Sequence, residues 1–333
     1  MRFIAGPPLV HAVSSTRGLG FLGVGAPSKD TLSSLTDLIT LTASLFSPSY
    51  IEAAGDVLPF GVGFLLVALP DGALDAVVQA LKSLPKPPAA VWLFPLSDVD
   101  MFREWTERIR DALPRTKIWA QIGTVSQALA LASMCPPDVM VVQGSDAGGH
   151  GLAAGAGLLP LLPEVADALA AAGHGDIPLI GAGGIADGRG VAAVQMLGGC
   201  GSVIGTRFLA STEAGIGEGY RKAVLDAKDG GTTTVRTEVY DRLRNTPWPA
   251  GYDGRAIKNA SWEDDAAGVE DRELKERYAV DMKKGEEAWG VKGRATTYAG
   301  AAVGLVKEVK PAAEIVRELR EGALKLLAGG GQS

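Results

Sequence analysis

Val139-Met140-Val141-Val142-Gln143 runs straight into Gly144-Ser145-Asp146-Ala147-Gly148-Gly149-His150-Gly151, and further on Pro178-Leu179-Ile180-Gly181-Ala182 runs into Gly183-Gly184-Ile185-Ala186-Asp187-Gly188. Each pair reads as a short apolar strand that ends in glycines. A continuous apolar run of this length fits a strand covered on both faces, as in a parallel sheet. The glycines let the backbone turn tightly toward a following helix and leave its N–H groups open to an anion.

Working outward, the same unit recurs. Upstream, Gly20 to Val24, Phe60 to Leu66, Ala90 to Phe94 and Ile118 to Ile122 read as strands. Ser202-Val203-Ile204-Gly205 is the last of the series, and a third loop, Gly205-Thr206-Arg207-Phe208, follows it. Helical stripes lie between them, for example Leu32, Leu35, Leu38 and Ile39, or Met101, Phe102, Trp105 and Ile109. Strands alternating with helices make a parallel α/β sheet, either a (β/α)8 barrel or an open doubly wound sheet. The loops favour the barrel. Barrels carry their sites at the strand C-terminal ends, and commonly bind phosphate after the last two strands. A dinucleotide fingerprint does not fit, because Ala186 stands where its third glycine belongs and no acidic residue is well placed beyond.

The character changes near Ser211. Residues 212–297 are richer in charge and carry Trp248, Trp262 and Trp289 in irregular context, so a mostly helical second region is expected there. Residues 1–211 and 298–333 are assigned to the barrel, the last helix starting near Pro311. A chain of 333 residues with 47% hydrophobic residues and 44 glycines can form such a barrel with one insertion. Its net charge of −6 argues against a nucleic-acid partner. Cys135 and Cys200 have no disulfide or metal-ligand spacing, and no metal site is expected. No secretory signal is evident and no uninterrupted run of apolar residues is long enough for a membrane span, so an intracellular, cytoplasmic protein is expected. The partner expected is a small molecule, and the oligomeric state is not legible.

His150 is the most informative residue. An isolated loop histidine is more often tied to backbone than catalytic. This one lies between glycines at a strand's C-terminal end, where an imidazole titrating near neutrality can take a proton from a carbon acid. The other two histidines are His11, in the expected first helix, and His174, in a Gly-His-Gly turn, and both read as structural or solvent-facing.

These stretches, with Gly18 to Gly23 and Tyr298 to Pro311, make the chain similar to the nitronate monooxygenase family over nearly its whole length. The resemblance implies a (β/α)8 barrel holding FMN without a covalent bond. It implies that Gln143 and Gly148, with Gly149 beside it, approach the flavin rings. Gly183, Gly184, Gly205 and Thr206 hold the phosphate, and His150 is the catalytic base. The implied reaction turns a nitroalkane or its nitronate, with dioxygen, into a carbonyl compound and nitrite. An FMN-dependent NAD(P)H:quinone or enoyl reductase would use the same loops, and a barrel that binds flavin or phosphate without turnover is the alternative of another class. The chain departs from the family at Gly61-Val62-Gly63, where an asparagine often replaces the second glycine and touches the flavin. The family's first strand, ending in Ala-Pro-Met, also has no counterpart, since Met1 aligns with that methionine. The expectation is a truncated first strand and a gap between the strands at Gly20 to Val24 and Ser202 to Gly205.

Overall fold

The computed structural model describes residues 4–246 and 248–329, without the side chains of Lys29 and Asp30. Its strands in chain order are β1 (Phe21–Gly25), β2 (Leu58–Leu65), β3 (Pro88–Phe94), β4 (Lys117–Ile122), β5 (Val139–Gln143), β6 (Gly149–Leu152), β7 (Leu179–Ala182), β8 (Gly201–Val203), β9 (Thr234–Thr237) and β10 (Tyr252–Ile257). Seven of them form one parallel sheet in the order β1-β2-β3-β4-β5-β7-β8. Helices connect successive strands, which is the architecture of a (β/α)8-type barrel.

Helix boundaries follow local chemistry. Asp98 accepts from the amides of Asp100 and Met101 and so starts helix Val99–Ala112, which buries Phe102, Trp105 and Ile109 against the sheet. Asp187 starts helix Gly188–Met196 in the same way, taking the amide of Arg189 at 2.9 Å. The outer face of the sheet and these helices share one large apolar core, which includes Phe60, Val62, Phe64, Val91, Leu93, Ile118 and Val142. The inner face packs separately: Phe21, Ala90, Trp92, Val141 and Ala182, with Trp119 and Val203, fill the barrel. Gly61 is required by that filling, because a Cβ there would lie 2.2 Å from the Phe21 ring.

Register places the site. Gln143 pairs with Ala182, and Ala182 with Val203. The loops that follow these three residues therefore leave the sheet side by side on one rim. Among the described residues no strand pairs between β8 and β1. Ile4 and Ala5 reach into that interval at the rim: the Ala5 carbonyl accepts from the Gly23 amide at 3.0 Å, and the Ile4 carbonyl accepts from Gly215 at 3.0 Å. Met1 to Phe3 of the expected eighth-strand position lie outside the described residues.

Residues 212–297 contain helices Glu218–Asp226, Gly230–Thr233, Val239–Arg244, Ala260–Ala266 and Asp271–Met282, as well as β9 and β10. They also form a feature absent from the sequence reading. A three-stranded antiparallel sheet, β6-β10-β9, takes its edge strand β6 from the glycine-rich His150 loop itself. His150 pairs with Gly254, and Arg255 lies between Gly149 on one side and Arg236 on the other. Arg236 is largely enclosed, forms an ion pair with Asp253, and donates to the carbonyls of Gly151 at 2.9 Å and Asp253 at 3.1 Å. This clamps the loop to the second region. No helix among the described residues is long and apolar enough to cross a membrane.

Candidate active site

The barrel rim and the small antiparallel sheet meet at His150. Its strand conformation is fixed by β10 on one side and by Gln143 beneath, whose side-chain amide donates to the His150 carbonyl at 3.0 Å. Gly151 has to be glycine in that arrangement, since a Cβ would lie 2.6 Å from the Gln143 side-chain oxygen.

The imidazole is enclosed, with its side chain 10% exposed. Nε2 lies 2.8 Å from Oδ2 and 3.0 Å from Oδ1 of Asp241, on helix Val239–Arg244. The Asp241 carboxylate is equally buried. Its Oδ1 also receives Thr246 Oγ1 at 3.1 Å, the Arg244 guanidinium at 3.3 Å and the Tyr298 hydroxyl at 3.4 Å. Arg244 donates in turn to the Tyr298 hydroxyl. Trp248 lies flat on the imidazole, with ring centroids 3.7 Å apart and planes 8° from parallel. Tyr298 approaches from another side at 5.2 Å, and Phe94 and Tyr252 pack around Trp248. Burial holds the His150 imidazole below its ordinary titration range, against the opposing pull of the hydrogen bond to Asp241. Burial also pushes the Tyr298 phenol up, so it stays protonated at any working pH.

The glycines picked out in the sequence occupy the same rim, in two settings. Gly148 is packed: a Cβ would meet the Gly300 amide at 2.4 Å and the Ala299 carbonyl carbon at 2.5 Å. Gly300 also donates to the Thr206 hydroxyl at 2.9 Å, and Ala301 donates to the Asp146 carbonyl at 2.9 Å. The Tyr298 to Ala301 segment thus ties the first loop to the third. Gly183 and Gly184 have φ of +107° and +73°, a left-handed backbone that favours glycine. Gly149 and Gly205 face open space, with nothing within 4 Å of a notional Cβ. Among the described residues, the amides of Gly183, Gly184 and Gly205 donate to no protein acceptor. A turn with several unpaired N–H groups is the donor set that an anionic oxygen fits. An open cleft of about 510 Å³, lined by Asp146, Gly184, Asp229 and Gly230 among others, adjoins the second loop. Among the described residues no cluster of histidine, cysteine, aspartate or glutamate could hold a metal ion.

Asp241, Arg244 and Trp248 escaped the sequence reading. Asp241 sits in Val239-Tyr240-Asp241-Arg242-Leu243, which reads as an ordinary helix with a solvated acid, and its partner is 91 residues away. Trp248 had a weak signal, an indole in irregular, proline-flanked sequence. The Tyr298 to Pro311 stretch stood out as part of the family resemblance, and nothing in it revealed that its tyrosine meets the histidine.

Comparison with known proteins agrees with this architecture. The sequence profile of nitronate monooxygenase matches residues 110–322. Nitronate monooxygenase npaC of Metarhizium robertsii is 47% identical over 98% of this chain and 90% of its own length. Nitronate monooxygenase of Neurospora crassa is 39% identical over 97% of this chain and 87% of its own. The solved structure of nitroalkane oxidase from Streptomyces ansochromogenes superimposes with a TM-score of 0.74 at 24% identity, covering 98% of this chain and 94% of that one, and so shares the fold. By sequence and by architecture, this chain belongs to the nitronate monooxygenase family, a family of oxidoreductases.

Proposed function

We propose that the protein oxidises alkyl nitronates, taken up as such or formed from nitroalkanes, with FMN as cofactor and dioxygen as oxidant, to carbonyl compounds and nitrite. The observation that carries this reading is a buried imidazole, held below its ordinary titration range and so neutral near pH 7, on the rim shared by three glycine loops. A neutral imidazole can remove the α-proton of a nitroalkane, and once protonated it lies beside the nitronate anion as a compensating charge. Gly183, Gly184, Gly205 and Thr206 are the residues that would hold the phosphate, the three glycines through the free amides described above. Gln143, Gly148 and Gly149 would line the ring system from the first loop. FMN, when bound, supplies the redox chemistry, accepting electrons from the nitronate and returning them to dioxygen. Residues 1–211 and 298–333 would then form the cofactor-holding barrel. The 212–297 region would cover the histidine with Asp241, Arg244 and Trp248.

The purified protein should show a flavin spectrum and release FMN, not FAD, on extraction. With ethylnitronate in air it should form nitrite. Rapid bleaching by NADH without oxygen, with no nitrite from ethylnitronate, would assign a reductase instead.

A further inference from the structure

We propose that Asp241 is a positioning residue that commits the Nε2–H of His150 and leaves Nδ1 as the nitrogen that takes the substrate's α-proton. This rests on the nitroalkane reading above. Both Asp241 oxygens lie within 3.0 Å of Nε2. Three further donors converge on Oδ1, from Thr246, Arg244 and Tyr298, a pattern that suits a carboxylate acting only as an acceptor. An imidazole nitrogen facing such an acceptor carries the hydrogen, so the neutral ring keeps its lone pair on the opposite edge, at Nδ1.

Aromatic rings restrict the approach to the imidazole. Trp248 covers one face of the ring at 3.7 Å. The charged and titratable groups around His150 are Asp241 and Arg244 from helix Val239–Arg244, Asp253 from β10, and Tyr298 from the segment before Gly300. Arg244 bonds to both Asp241 and Tyr298, so it braces the carboxylate. In the proton transfer the substrate Cα–H bond breaks and its electron pair delocalises into the nitro group, which gives the nitronate. The proton forms a new N–H bond at Nδ1. The imidazolium then keeps donating Nε2–H to Asp241, which remains a carboxylate throughout. Burial disfavours that imidazolium, and the buried carboxylate offsets part of the penalty.

The test combines tautomer and kinetics. The chain has only three histidines, His11, His150 and His174, so 15N spectra of ring-labelled protein are simple, and His150→Asn identifies the relevant pair. Wild type should show His150 with a protonated Nε2 and an unprotonated Nδ1. Asp241→Asn presents either an oxygen or an NH2 to Nε2, so the spectrum should shift toward the other tautomer. The same variant should lose about 10²–10⁴-fold in kcat/KM with nitroethane and much less with preformed ethylnitronate. Asp241→Glu should recover part of the nitroethane rate and the wild-type tautomer. A wild-type His150 protonated on Nδ1 overturns the proposal, as do equal losses on both substrates in Asp241→Asn. If Asp241→Asn does not fold, the wild-type spectrum and Asp241→Glu decide. Retention of nitroethane activity by His150→Asn would instead overturn the underlying reading of His150 as base, whatever the tautomer.

Discussion

Gly205→Ala separates cofactor binding from folding more cleanly than any other change on the rim. Gly205 has φ of −105°, which any residue tolerates, and a Cβ there meets nothing within 4 Å. The flavin-free protein should therefore be as stable as wild type within about 0.5 kcal/mol. It could even gain slightly, because alanine restricts the unfolded chain. In the proposed cofactor site, that open space is where a phosphate oxygen would approach the Gly205 amide. A methyl group there removes one charge-assisted hydrogen bond, worth about 1.5–3 kcal/mol, which is about 10- to 100-fold in Kd. Flavin quenching titrations measure the Kd directly. Thermal melts with and without FMN read it a second way, since each tenfold loss of affinity removes about 1.4 kcal/mol of ligand-induced stabilisation at saturating FMN. Gly148→Ala is the contrasting control. Its Cβ would lie 2.4 Å from the Gly300 amide, with only backbone to yield, so it should lower the stability of the flavin-free protein by about 1–3 kcal/mol. Gly205→Ala protein that binds FMN as tightly as wild type would refute the placement of the phosphate.

His150→Asn should keep the flavin spectrum and lose about 10²–10⁴-fold in kcat/KM with neutral nitroalkanes but less with preformed nitronate, as nitrite release would show. Because burial lowers the His150 titration in the folded state, the unfolded chain takes up this proton at higher pH than the native one. The histidine's contribution to stability is then complete above about pH 6.5 and is lost as pH falls from there toward the lowered native value. Urea midpoints between pH 7 and 5 should fall more steeply for wild type than for His150→Asn. Arg236→Leu strands the buried Asp253 carboxylate and removes the donor to the Gly151 carbonyl, and should cost about 3–5 kcal/mol in urea unfolding. A loss below about 1 kcal/mol would show that the clamp on the His150 loop is not structural.

Much of the architecture was legible in the chain because it is written locally. Each barrel strand is a short apolar run bounded by turn residues, and periodicity reports burial without reference to partners. The seven parallel strands, the alternating helices and the glycine loops after Gln143, Ala182 and Val203 were all read this way. His150 was legible because its glycine neighbours and its place at a strand end already constrain what it can do. What only the tertiary structure decided is what His150 touches. Gly149-His150-Gly151-Leu152 is too short and too glycine-rich to announce itself as a strand. It becomes one because β10, about 100 residues later, supplies the ladder. Asp241 is an unremarkable helical acid in sequence and a buried partner in space, since a hydrogen bond at 2.8 Å across 91 residues leaves no periodicity to read. Trp248 and Tyr298 reach the same ring from separate segments. Local patterns encode which surface each element buries. The meeting of side chains from three distant segments depends on how the elements pack, and packing is a property of the whole chain.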